Sequence, residues 1–338
     1  MRRIRPLFVA ALCAAAALPA AAAALLPAAA PGQMFSPKSF WNTPLDARGS
    51  LNPNSAAIVA ELIRQKDAAG GPWLNIESYS VPIYRVGPKV PRVRVYEPSG
   101  LFHRKGSTFR WSSPVPVPAR ARPSGGDDLH VVIWQPSSDT MWEFWGFSRN
   151  GSRLTAKAGA RIIGVSRSSG IIEAPYGATA SGLPAAGGVI TERDIRRGVI
   201  DHALAIAIPA PLKERLTFPA TRTDGWSDDP AAPMEGQRFR LDPSLDVRSL
   251  GLHPLVRMIA EAAQKYGIVV RDQSGAVVFY GEDPRGLGRN AFTRILGGQD
   301  RKALLETFPW ERLQALPVRP FCCWQNWDYK APRTILAR

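Results

Sequence analysis

Residues 130–146, HVVIWQPSSDTMWEFWG, constrain this chain more tightly than any other stretch. Two apolar runs flank a short polar loop, and the strand-forming residues within them predict a hairpin. Pairing Trp134 with Met141 sets Ile133 opposite Trp142, Val132 opposite Glu143, Val131 opposite Phe144 and His130 opposite Trp145. One face is then Val131, Ile133, Trp142 and Phe144, wholly apolar. The other carries His130, Val132, Trp134, Met141, Glu143 and Trp145, and so joins two indoles, an imidazole and a carboxylate. A one-residue slip would part Glu143 from His130, so the pairing is the hinge of any argument about this surface.

The rest of the chain is punctuated throughout. Thirty-one prolines and 29 glycines in 338 residues favour short elements joined by turns over a helical bundle. The reading is a mainly β protein with flanking helices, its antiparallel sheets arranged as a β-sandwich or jelly roll. Residues 31–53 form an extended arm anchored by Phe40 and Trp41. Residues 54–315 form one principal domain, and residues 316–338 an aromatic tail. Within the domain, a first helix has Ser55 as N-cap, Ile58, Val59, Leu62 and Ile63 as its stripe, and Gly70-Gly71 as its end. Thr191 and Asp194 form a capping pair for a short helix closed by Gly198. An amphipathic helix runs from about Pro254 to Lys265, and GIVVRDQSGAVVFYGED reads as a hairpin turned at residues 273–275.

The first thirty residues read as a secretory leader: Arg2, Arg3 and Arg5 precede an apolar run from Leu7 to Leu18 and an alanine-rich stretch. Its removal takes three arginines from a net charge of +15 and leaves +12. That balance favours polyanionic surroundings, anionic cell-wall polymers among them. The basic residues are scattered, which argues against specific nucleic-acid binding. No later run is long enough to span a membrane. The expectation is a secreted, extracellular or wall-associated monomer. Cys322 and Cys323 stand side by side near the C-terminus, as a vicinal disulfide or two buried thiols. No zinc-ligand spacing occurs, and the loop GATASGLPAAGG lacks phosphate- or dinucleotide-binding spacing, so neither metal nor cofactor is expected.

Taken in order, FWNTPLDA, HVVIWQPSSDTMWEFW, GATASGLP, IDHALA and PATRTDG resemble an uncharacterised family of secreted proteins from high-GC Gram-positive bacteria. The resemblance covers nearly the whole mature chain. It implies export and a single unit, and it carries no activity.

The residues themselves point toward carbohydrate. Indole faces stack on sugar rings, and a carboxylate in apolar surroundings gains the raised pKa of a general acid. Glu143 is therefore the first catalytic candidate of a glycoside hydrolase, with His130 second. Asp201 and His202, in VIDHALAIAIP, are further catalytic candidates, although a core role suits His202 equally. Trp134 and Trp145 are substrate-binding candidates, joined by Arg222, Asp224 and Trp226 from a long polar loop. Hydrolysis needs a second carboxylate, with Asp201, Asp127, Asp128 and Asp272 as candidates, and Asp272 also suits the turn it begins. Three alternatives stay open: a non-catalytic cell-wall or glycan-binding protein, a lyase on uronate polysaccharides with His130 as base, and an aromatic face that is only a second core layer. No G-x-S-x-G elbow supports a serine hydrolase.

Overall fold

The structure is a computed structural model that describes residues 26–97, 114–173, 176–318 and 320–321. In chain order its elements are α1 (Ser55–Ala68), β1 (Pro72–Asn75), β2 (Ile83–Arg85), β3 (Val95–Tyr96), β4 (Val131–Gln135) and β5 (Thr140–Trp145). There follow β6 (Ser148–Asn150), β7 (Arg153–Thr155), β8 (Ala158–Ile163), α2 (Glu192–Arg197), β9 (Leu204–Ile208), β10 (Leu216–Thr217) and β11 (Arg238–Leu241). The chain closes with α3 (Pro254–Lys265), β12 (Ile268–Gln273), β13 (Val277–Tyr280), α4 (Pro284–Leu287), α5 (Thr293–Leu296), α6 (Arg301–Glu306), β14 (Leu313–Ala315) and β15 (Pro320–Phe321). Cys322 and Cys323 lie outside the described residues, and no described helix is long and apolar enough to cross a membrane.

The fold is mainly β with flanking helices. A six-stranded sheet in the order β1-β13-β9-β12-β11-β14 packs on a four-stranded sheet in the order β2-β4-β5-β8. Both sheets are mixed rather than wholly antiparallel: β1 with β13, β9 with β12, and β2 with β4 run parallel. The sequence of β9 explains the layering. Ala203, Ala205 and Ala207 alternate with Leu204, Ile206 and Ile208, and the alanine side leaves room for a chain segment, with Gly188 against Ala205, within the core shared with Val132, Trp134, Met141 and Ala160 of the second sheet. The large residues face the other way and are covered by α1, α3 and α6.

The 130–146 hairpin adopts the expected register, from Val131 opposite Phe144 to Trp134 opposite Met141, and adds one pair, Gln135 with Thr140. Its faces divide as expected, since Val131, Ile133, Trp142 and Phe144 enter a separate core. Both faces are buried, however. The aromatic, polar face is the inner surface of the sandwich, where Trp134 is 5% exposed, and not a solvent-facing cleft.

Two local readings are corrected. Asn54 is the N-cap of α1, because the Ser55 hydroxyl accepts the Ala315 N–H at 2.8 Å. β12 and β13 do not pair with each other, and β9 lies between them, parallel to one and antiparallel to the other. The short link after Gln273 can bridge two strand spacings because four extended steps reach about 13 Å. β9 takes that central place because it is apolar on both faces.

The N-terminal arm is part of the core. Trp41 is 1% exposed, donates its Nε1–H to Gly170 O at 3.0 Å and lies on Gly187 and Gly188. A Cβ on Gly187 would stand 2.5 Å from the indole, and Gly188 also needs φ +69°, so this glycine pair makes room for the arm.

Candidate functional site

The glycine- and alanine-rich loop of residues 177–187 runs through the interior between the sheets. A buried loop has no ladder to satisfy its peptide groups, so side chains must do so. Glu143 accepts Ala178 N–H at 2.9 Å with one oxygen and Ala185 N–H at 2.8 Å with the other. Asp272 accepts Ala180 N–H at 3.1 Å. Carbonyls receive the cations: Arg222 donates to Gly177, Thr179 and Ala180, and Arg271 to Ala185 and Gly187 at 2.6 and 2.8 Å. Arg271 and Asp272 are adjacent yet serve the same loop, which strict strand alternation forbids. A bulge in β12 between Val270 and Asp272 allows it.

His130 completes the clamp, with Nε2 2.7 Å from Ala178 O. A carbonyl only accepts, so Nε2 carries the proton. Burial holds the ring's pKa below its ordinary value against the opposing charge of Asp128, which leaves a neutral imidazole whose buried Nδ1 lone pair has no partner. Glu143 is fully buried, and burial lifts its carboxyl to about 7 against the pull of the two N–H bonds. Both of its oxygens are engaged with the backbone.

Where this loop reaches the end of the sandwich, acids gather. Asp272 is half-buried, and burial followed by the charge of Asp224 raises it to about 7. Asp224 is itself raised, by burial and then by Asp128. Glu235, 0% exposed, accepts the Asp224 N–H at 3.1 Å and is raised well above its ordinary value by burial and by Asp224 and Asp272. Its Oε1 has no hydrogen-bond partner. Two indoles border the cluster. Trp145 donates Nε1–H to Asp128 at 3.2 Å, and Trp226, 60% exposed, donates to Pro209 O at 3.1 Å just beyond β9. From Asp224 the chain passes through Trp226 to Ser227 and Asp228, which line an open groove of about 480 Å³ with Leu212, Lys213, Arg215 and Met234. That volume lies within the range of small-molecule sites.

The expected candidates thus fall into two groups. His130, Glu143, Trp145, Arg222, Asp224 and Trp226 converge on this loop and its mouth, while Trp134 is interior. Asp201 and His202 belong to the other end of β9, about 16 Å away along the strand. There Asp201 pairs with Arg193 at 3.1 Å and Arg197 at 2.5 Å, and His202 lies 3.2 Å from Asp194, beside a cavity of about 30 Å³ under the arm. The residues that sequence reasoning underweighted are Asp272, Arg271 and Glu235. The available signal was two opposite charges, Arg271-Asp272, directly after the apolar run Ile268-Val269-Val270. Among the described residues, no group of three or more His, Cys, Asp or Glu side chains is arranged to hold a metal ion. The chain matches no family model, no curated protein and no solved structure.

Proposed function

We propose that this is an exported carbohydrate-active enzyme that hydrolyses a polysaccharide at the acidic end of the sandwich. The observation that carries the reading is Asp272, a half-buried carboxyl raised to about 7, set among other carboxylates and bordered by the indoles of Trp145 and Trp226. A carboxyl with that pKa still holds its proton near neutrality and can protonate a departing glycosidic oxygen. Asp128 or Asp224 supplies the second carboxyl group, which attacks the sugar or activates water. In this reading Glu143, first in line from sequence, acts through the loop: it fixes Ala178, two residues before the Ala180 that bonds Asp272. Export is supported by the basic and apolar pattern of the first thirty residues.

The test is reducing-sugar release from a panel of bacterial wall and plant polysaccharides, with Asp272→Asn beside the native protein. We expect cleavage of at least one substrate and a loss of about 100-fold or more in the variant, its circular dichroism unchanged. Full activity in Asp272→Asn would overturn the assignment of the acid. Retention of a glycan without cleavage would replace the enzyme with a glycan-binding module, and neither retention nor cleavage would remove carbohydrate from the account.

A further inference from the structure

The three-stranded sheet β3-β7-β6 carries charge of one sign only. Its residues alternate in and out. Val95, Leu154 and Ala156 enter a buried core, while Arg94, Tyr96, Arg153 and Lys157 are exposed on the outer face. The stretches 86–96, 114–126 and 148–157, which form this sheet or pack beside it, contain no Asp or Glu. Arg94, Arg149, Arg153 and Lys157 accordingly form no salt bridge with a described carboxylate. Arg64, Arg197 and Arg312, exposed on other faces, each hold one within 2.6 Å.

The sheet also brings like charges together. β3 and β7 run parallel with Val95 opposite Leu154, and the same register sets Arg94 opposite Arg153. Both guanidiniums lie against one ring: Cζ of Arg153 is 5.3 Å and Cζ of Arg94 is 6.0 Å from the Tyr96 centroid. Like charges in opposed positions of a sheet are destabilising. Stacking uses the face of a guanidinium and leaves its N–H edge free, and no described group accepts a hydrogen bond from either side chain. Two forks thus stand side by side in solvent with their donors unspent. A planar carboxylate matches such a fork with two parallel bonds. Ser148 and Asn150 of β6 and Thr155 of β7 share the face by register and add hydroxyl and amide groups rather than charge.

We infer that the outer face of this sheet binds a carboxylate-bearing polysaccharide, with Arg94 and Arg153 holding its acid groups and Ser148, Asn150 and Thr155 meeting its hydroxyls. An arriving carboxylate relieves the opposition of the two arginines, which nothing on the protein does. Nucleic acid suits the face less, because Tyr96, with two guanidiniums against it, is no platform for stacked bases. This is a binding function separate from the acidic mouth. It neither uses Asp272 nor depends on the reading of the protein as an enzyme.

The experiment is biolayer interferometry of the full chain at pH 7 on immobilised polygalacturonate, on the same polymer with its carboxyls methyl-esterified, and on double-stranded DNA. The native protein is expected to bind polygalacturonate roughly tenfold or more tightly than either of the others. Arg94→Gln combined with Arg153→Gln, verified as folded by its melting curve, is expected to lose about tenfold or more in affinity. Arg257→Gln combined with Arg294→Gln removes the same charge from exposed positions on α3 and α5, and is expected to lose less than about twofold. Equal losses in the two double variants would reduce the effect to net charge and overturn the assignment of the face. Equal or tighter binding of the ester overturns the carboxylate, and equal or tighter binding of DNA replaces the polysaccharide with nucleic acid. No binding to polygalacturonate overturns the inference outright. The readout is binding alone, so failure of the cleavage assays removes the enzyme reading and leaves this one standing.

Discussion

Strand β9 carries charge at both ends, and the two ends treat it in opposite ways. At its start Asp194, Asp201 and His202 each lie beside a group of opposite charge, although Asp194 Oδ1 is a buried oxygen without a hydrogen-bond partner. Asp194 accepts from Thr191 N–H, the Thr191 hydroxyl and His202, and Asp201 lies between two arginines. Although burial opposes it, these partners hold both carboxyls below their ordinary values and His202 above its own. At the far end, acids face acids and their pKa values rise. Compensated charge at one end builds an anchor for α2 and the arm. Like charge at the other, only partly offset by Arg222 and Arg271, costs stability, as the proposed site requires.

The largest effect that could break this comparison is at the anchor. Asp194→Ala removes the capping box of α2 and strands His202, so urea denaturation at pH 7 should show a loss of about 3–4 kcal/mol. Asp272→Asn should leave stability unchanged or raise it at pH 8, since it removes one of several like charges and its amide oxygen still accepts from Ala180. A large loss there would mean that the acidic end is an anchor too.

Next is the clamp. Glu143→Gln turns one of two accepting oxygens into an amide nitrogen that faces an N–H, with an expected cost of about 2–3 kcal/mol. Loss of less than about 0.5 kcal/mol would separate Glu143 from the loop.

The pH dependence sharpens the contrast. Between the ordinary carboxylate range and pH 7, Asp272 and Glu143 ionise in the unfolded chain but hold protons when folded, so stability falls as pH rises through that window. Asp272→Asn should flatten this slope. The contribution of His202 is complete below pH 6.5 and is lost as pH rises through its raised folded value, so His202→Ala should flatten the slope on the alkaline side instead. Melting temperatures from pH 4 to 9 distinguish the two windows. The smallest effect is at Trp226, where Trp226→Ala should change stability by less than about 0.5 kcal/mol yet weaken glycan binding several-fold, as read by affinity electrophoresis.

Much of the architecture was legible because its causes are local. The 130–146 register, the Thr191–Asp194 cap and the span of α3 follow from patterns within a few residues. The placement of β9 between β12 and β13 depends on residues more than sixty positions away and left only an indirect trace, the Ala/Ile alternation. The site divided in the same manner. His130 and Glu143 could be placed on one face from the hairpin alone. That the face looks inward, and that a distant loop fills it, depends on the second sheet. Asp272 read as a turn residue because the bulge that turns it toward the loop leaves no mark in composition.

The threading of β9 also bears on the order of assembly. In the six-stranded sheet no two adjacent strands are joined by a tight turn; even β11 and β12 are separated by α3, and β1 must find β13 across some two hundred residues. The four-stranded sheet contains the β4–β5 hairpin, a contact that closes across four residues. Loop-closure entropy thus places the hairpin early and the large sheet late. Pulsed hydrogen exchange during refolding should find the Ile133 and Trp142 amides protected before that of Ile206. The buried loop and its acidic mouth, which need both sheets, then come into being only in the final step of folding.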